Sequence, residues 1–247
     1  MRYFIEIAYN GKNYHGWQRQ PNAISIQEVL ERTLSTLLRE DISLTGAGRT
    51  DTGVHAKQLF AHFDLVSGEM PGDIVFRLNS FLPNDIAVRD LFAVKVDAHA
   101  RFHATEREYE YRIGLTKNPF NQDFVYTIHI EPDLEKMNDA AKLLLGHQDF
   151  QCFSRSNTDV KTYYCDVKTA YWTREKEELI FRISADRFLR NMVRAVVGTL
   201  LDVGSDKTSI AQFKSILSSR DRSEAGPSAP AHGLYLTKIT YPKSIQP

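Results

Sequence analysis

Cysteine is scarce: Cys152 and Cys165 are the only two in 247 residues, and neither sits in a CxxC or Cys/His setting. That argues against a disulfide framework and a cysteine-ligated metal site, and leaves both as small core residues. Long apolar runs are missing too. None approaches the roughly 20 residues needed to span a bilayer, and Met1 leads straight into RYFIEIAY, with no basic, apolar and cleavage-site regions in series. The expectation is a cytoplasmic protein with no membrane partner. Neither charge is in excess, since 31 Lys+Arg balance 31 Asp+Glu. A zero balance removes a global attraction to polyanions but not a local one, and arginines gather at Arg187, Arg190 and Arg194. Also absent are a GxxxxGK[ST] loop, a post-strand GxGxxG, an HExxH pair and a convincing Ser-His-Asp or Cys-His arrangement. Nucleotide hydrolysis, dehydrogenation and zinc deamination therefore lack their parts.

What is present is a globular composition, 42% hydrophobic and 25% charged, long enough for one large or two modest domains. Tyr3, Ile5, Ile7 and Tyr9 alternate with Phe4, Glu6 and Ala8, which predicts a strand with one buried face. The loop NGKNYHGWQRQPN follows, and its Tyr14, His15, Trp17, Gln18 and Arg19 offer stacking and phosphate contact to a nucleic acid. Alternatively, Tyr14 and Trp17 fold back onto the domain. Ser25 and Glu28 form a capping-box pair ahead of a stripe at Ile26, Val29, Leu30, Thr33, Leu34, Leu37 and Leu38, so a helix is expected. Strands follow at 42–45, 59–65 and 86–96, with a short helix at 74–81 stopped by Pro83.

From residue 99 the pattern begins again. In HARFHATEREYEYRIGL, Arg107, Tyr109, Tyr111 and Ile113 take one face of a strand and Glu106, Glu108, Glu110 and Arg112 the other. His99 and His103 have helical metal-site spacing, but the stretch does not read as helix and no metal is expected there. Sheet resumes at 125–130, and Asp133 caps a helix through Leu145. Residues 162–173 and 179–185 make a hairpin around REKEE. Next comes RFLRNMVRAVVGTLLDVG, where Phe188, Met192, Val196, Val197 and Leu200 recur at helical spacing and Arg187, Arg190 and Arg194 share a side. Ser209 caps a short helix. RDRSEAGPSAPAHG is loop, and 234–241 closes the chain as a strand. The expected architecture is α+β: two similar subdomains, 1–100 and 101–247, with mixed or antiparallel sheets flanked by helices and a cleft between them.

The stretch GAGRTDTGVHA, residues 46–56, stands apart because glycines, threonines, an arginine, an aspartate and a histidine crowd a loop placed by strands. A carboxylate in a desolvated cleft tends to take up a proton, and an arginine partner keeps it ionised. Ionised, Asp51 can serve as nucleophile or base toward a sugar carbon or a pyrimidine ring, and a facing tyrosine can stack on that base or take its proton. His55 is read as supporting loop geometry or touching RNA, not as the general base.

Taken together, GRTDTGVHA, YHGWQ, REYEYRI, FLRNMVRAVVGTLL and the terminal GLYL resemble the TruA-type tRNA pseudouridine synthases, from the first strand to the last. The resemblance implies the pseudouridine synthase fold, with Asp51 catalytic and Arg49 binding RNA and flipping the base. It also implies Tyr109 as the active-site tyrosine, Arg194 pairing with the aspartate, and Leu234 packing under the target base. It further implies action on uridines 38, 39 and 40 of the tRNA anticodon stem-loop, no cofactor or metal, and a homodimer. His55, Arg19, Arg187 and Arg190 are added here as substrate-binding candidates. A non-catalytic tRNA-binding protein, or an enzyme that hydrolyses the glycosidic bond, is the competing expectation. The loops at 154–161 and 223–231 carry no diagnostic motif.

Overall fold

The computed structural model describes residues 1–66, 69–155 and 160–246. In chain order the strands are β1 (Arg2–Tyr9), β2 (Thr45–Gly46), β3 (His55–Asp64), β4 (Ile86–Val94), β5 (Glu106–Gly114), β6 (Tyr126–Thr127), β7 (Gly146–Asp149), β8 (Tyr164–Glu175), β9 (Glu178–Ala185) and β10 (Leu234–Thr240). The helices are α1 (Ile26–Leu38), α2 (Ile74–Phe81), α3 (Leu134–Lys142), α4 (Met192–Gly204) and α5 (Ile210–Ser219). The fold is α+β, as expected, and the chain divides into two units: Met1–Thr105 with Tyr235–Pro247, and Glu106–Leu234.

In the first unit the strand order is β4-β1-β3-β10, with β2 added on β3. β1 runs antiparallel to both neighbours, placing Ile5 opposite Ala61 and Leu91. β10 runs parallel to β3, Tyr235 beside His55. That pairing puts the end of the chain with the first unit, whereas the sequence suggested that it belongs with the second half; a parallel partner 180 residues away leaves no local signature. The one-faced burial expected of β1 is also exceeded. Ile5 and Ile7 are fully buried, and so is Phe4, which meets Phe60, Phe92 and Tyr241 at ring separations of 6.4, 6.1 and 5.3 Å. Each such side chain contributes about 1.5–3 kcal/mol relative to exposure. α1 starts where Ser25 Oγ accepts the Glu28 N–H at 3.3 Å and stops at Arg39, whose φ of 56° is left-handed.

In the second unit β5-β9-β8-β7 is antiparallel throughout, and β6 is a two-residue parallel addition to β5. α3 packs on α4 and β8. Its N-terminus is held by Asp133, whose side chain accepts the N–H groups of Glu135 and Lys136, both at 3.0 Å. A reciprocal capping box between Ser209 and Gln212 begins α5. Strand β7, GHQD, has no apolar alternation to announce it. α4 needs a correction. The sequence periodicity carries the helix back through Arg187, but Asn191 adopts φ 65° and the helix starts at Met192. Arg187 and Arg190 therefore lie in the turn before it and do not share a helical side with Arg194. Among the described residues no helix is long and apolar enough to cross a membrane.

Candidate active site

The loop between β2 and β3 is built by its neighbour. Residues 10–19, the YHGWQ stretch, lie along it and tie it down main chain to main chain. Trp17 N–H donates to Thr50 O at 3.3 Å, Gly53 N–H to Tyr14 O at 3.4 Å, and Val54 N–H closes back on Asp51 O at 3.1 Å. Tyr9 Oη and Thr50 Oγ1 share a buried hydrogen bond of 2.8 Å. Gly11 permits the closest approach, since a Cβ there would collide with the Val54 carbonyl. Tyr14 and Trp17 are only 4% and 1% exposed. The proposed stacking platform is thus corrected: both rings fold back as the brace of the loop. The Tyr14 hydroxyl donates to Asp85 Oδ1 at 2.6 Å, and burial first, then that bond, pushes its pKa up.

Within this brace Asp51 is partly exposed and Arg49 exposed. Arg49 Nε donates to Gln18 Oε1 at 3.1 Å. His55 is 1% exposed; its Nδ1 accepts the Gly11 N–H at 3.1 Å, and its ring stacks on Tyr235 at 4.8 Å. That arrangement selects the structural half of its two expected roles, because a ring so enclosed presents no edge to RNA. Arg19 is exposed and reaches Glu31 at 3.5 Å.

In the second unit, the two tyrosines of REYEYRI are treated differently. Tyr111 is fully buried, donates to Pro230 O at 2.8 Å, and is pushed far above the ordinary phenol pKa by burial. Tyr109 stays half-buried, its ring edge-on to Phe188 at 5.1 Å, and is the tyrosine that can reach a ligand. Arg194, two residues into α4, donates from Nε to Ala229 O at 2.7 Å, while Ala229 N–H returns to Arg194 O at 2.9 Å. Arg222 holds the same segment by donating to Ala225 O (3.2 Å), Gly226 O (3.1 Å) and Ser228 Oγ (3.0 Å). Gly226 N–H adds a bond to Thr199 Oγ1 at 2.9 Å. Arg190 is exposed, Arg187 half-buried, and Leu234 buried at the start of β10. Of the 154–161 loop, residues 156–159 lie outside the described residues.

Sequence reasoning missed Gln27 and Glu31, which stand four apart on α1 among apolar neighbours and are both 8% exposed. A polar pair inside an apolar stripe was the available signal. It also missed Tyr235 and Arg222, for which no signal existed.

Taken unit by unit, Asp51 and Arg49 on a main-chain-pinned loop of the first, and the half-buried Tyr109 and the fixed Arg194 of the second, are residue types suited to nucleophilic or acid–base catalysis on an anionic substrate. A family model described as tRNA pseudouridine synthase matches residues 6–103 and 140–242, so Asp51, Arg194 and Leu234 fall inside the matched stretches and Tyr109 between them. The protein named tRNA pseudouridine synthase A in Bacteroides fragilis is 51% identical over 246 residues, covering 99% of this chain and 98% of its own. Its namesakes in Parabacteroides distasonis and Shewanella amazonensis are 48% and 39% identical, covering 100% and 99% of this chain and 98% and 95% of their own. The chain belongs to the tRNA pseudouridine synthase family and is an isomerase.

Proposed function

We propose that this isomerase converts uridine to pseudouridine at positions 38, 39 and 40 of the tRNA anticodon stem-loop, working in the cytoplasm as a homodimer without cofactor or metal. Asp51 is the catalytic carboxylate. The observation that carries this is its setting: the carbonyls of Asp51 and Thr50 are both engaged by main-chain donors while the Asp51 side chain stays partly exposed. A carboxylate so placed loses little freedom on reaching its transition state.

The uridine turns out of its stack, because a ring inside a helix can be neither reached nor rotated. Asp51 promotes cleavage of the N1–C1′ bond, by attack on sugar or ring or by taking a sugar proton. The freed uracil rotates, C5 bonds to C1′, and the C5 proton leaves, with Tyr109 as base or relay. Every atom of the nucleoside is retained except for exchange of that proton with water. Arg194 is the arginine assigned to pair with the carboxylate, Arg49 holds the flipped strand, and Leu234 packs under the target base. Arg19, Arg187 and Arg190 neutralise phosphates, which is supported by the exposure of Arg19 and Arg190. The test uses tRNAs tritiated at uracil C5, with uridine confined to one of the three positions or absent from all three. Tritium release from each single-uridine tRNA with the chain intact is expected. Release from the control, or abasic product, contradicts the assignment.

A further inference from the structure

We propose that Gln18 is a positioning residue for Arg49, and that helix α1 sets the direction of that arginine through a one-way relay of amides. Three side chains link α1 to the guanidinium. Gln27 Nε2 donates to Glu31 Oε1 at 2.9 Å and to Leu44 O at 3.0 Å. Gln18 Nε2 donates to Gln27 Oε1 at 2.9 Å, and Arg49 Nε donates to Gln18 Oε1 at 3.1 Å.

The direction of every link is forced. The Arg19 N–H, which can only donate, meets Gln27 Oε1 at 2.9 Å, so that oxygen faces Gln18 and the Gln27 amide nitrogen faces two acceptors. Gln18 must then give its NH2 to Gln27 and turn its oxygen to Arg49, another group that can only donate. The relay ends on a carboxylate that is itself fixed. Glu31 Oε1 also accepts the Leu44 N–H at 2.9 Å, and Oε2 faces the Arg19 guanidinium at 3.5 Å. Gln27 and Glu31 are both 8% exposed, so this end of the relay is a buried network with its partners in place and is rigid, and the exposed Gln18 is oriented by its bond to it. Rotating Gln18 would set oxygen against oxygen at Gln27 and nitrogen against nitrogen at Arg49.

Engaging Nε leaves the Nη1 and Nη2 fork of Arg49 for a planar or tetrahedral anion, the geometry in which arginine holds phosphate. Arg49 is exposed on its loop, and without Gln18 its side chain would have to be ordered by the ligand itself. The relay removes that ordering cost before RNA arrives. The inference rests on the reading of Arg49 as an RNA contact, and its experiment separates the two.

Steady-state kinetics with full-length tRNA are measured for Gln18→Met, Arg49→Met and the double variant, with thermal denaturation alongside. Gln18→Met is expected to raise KM about fivefold, the order of one hydrogen bond to a charged group, with kcat within about twofold and the melting temperature unchanged. In the Arg49→Met background the same substitution is expected to have no further effect on KM. Equal KM for Gln18→Met and the wild type, or a fivefold effect that persists without Arg49, overturns the positioning role while leaving Arg49 as an RNA contact. A wild-type KM for Arg49→Met overturns the RNA reading and the relay's purpose with it.

Discussion

Two irregular segments adjoin assigned residues, one carrying Arg49, Asp51 and His55, the other bound by Arg194 and running into Leu234, and they are fastened by different means. Residues 46–56 are fixed main chain to main chain by residues 10–19, with Gly11 fitted against the Val54 carbonyl. Residues 220–233 are fixed mainly by side chains: Arg222 grips two carbonyls and a hydroxyl, Arg194 grips Ala229, and Thr199 on α4 takes the Gly226 N–H, with one main-chain bond from Ala229 N–H to Arg194 O. In the first arrangement main-chain bonds carry much of the support, with side-chain bonds added at Thr50, His55 and Arg49, and the Asp51 side chain stays partly exposed. In the second, Arg194 supports the loop with one edge of its guanidinium, so position and charge are provided by one residue. A backbone-held loop should tolerate loss of side chains and fail at glycine, whereas a side-chain-held loop should fail in steps.

Glycine substitutions have the largest expected effect, because both segments have contacts with no room for a Cβ. An added Cβ at Gly198 meets the Pro227 carbonyl as surely as one at Gly11 meets Val54. Gly11→Ala and Gly198→Ala are each expected to cost about 3 kcal/mol in urea unfolding. Faster amide exchange should be confined to 50–55 in the first variant and to 225–229 in the second.

Acid acts on the first unit through His62, 6% exposed, whose pKa falls to about 4 chiefly because it is buried, then because of the nearby His99 ring and Arg2. An unfolded histidine takes its proton near 6.5, so between about 6.5 and 4 the unfolded chain binds more protons. Stability therefore falls as pH drops through that window, by up to about 3 kcal/mol, and is unaffected by this group above it. His62→Gln should flatten the slope in pH-dependent denaturation.

Arg222→Ala removes three hydrogen bonds from the second segment and is expected to cost about 1–3 kcal/mol, with exchange rising at 225–228 and activity on tRNA falling. Tyr9→Phe removes one side-chain bond from the first and should cost about 1 kcal/mol. Activity within about twofold of wild type in Tyr9→Phe supports the main-chain account of that loop; a loss as large as that of Arg222→Ala contradicts it.

The difference between the segments also marks what could be read from the sequence. Capping residues Ser25, Asp133 and Ser209 announced their helices because an N-cap is a local interaction. The loop around Asp51 was legible because its composition suits chemistry better than packing. The role of YHGWQ was not, since aromatic rings between glycines read alike as a nucleic-acid platform or as a brace, and only the partner strand decides. The start of α4 was misread because apolar spacing continues through Phe188, while the break is made by the left-handed backbone of Asn191. The pairing of β10 with β3 and the grip of Arg222 depend on residues distant in the chain or on loop geometry, where no periodicity exists.

The central claim is that Asp51 carries the isomerisation, and the most direct measurement is single-turnover tritium release from tRNA labelled at uracil C5 by Asp51→Ala. The account predicts a rate lower by about 10³-fold or more, with tRNA affinity within about threefold of wild type and the melting temperature unchanged. Release within about tenfold of the wild-type rate by a folded, tRNA-binding Asp51→Ala variant would contradict it.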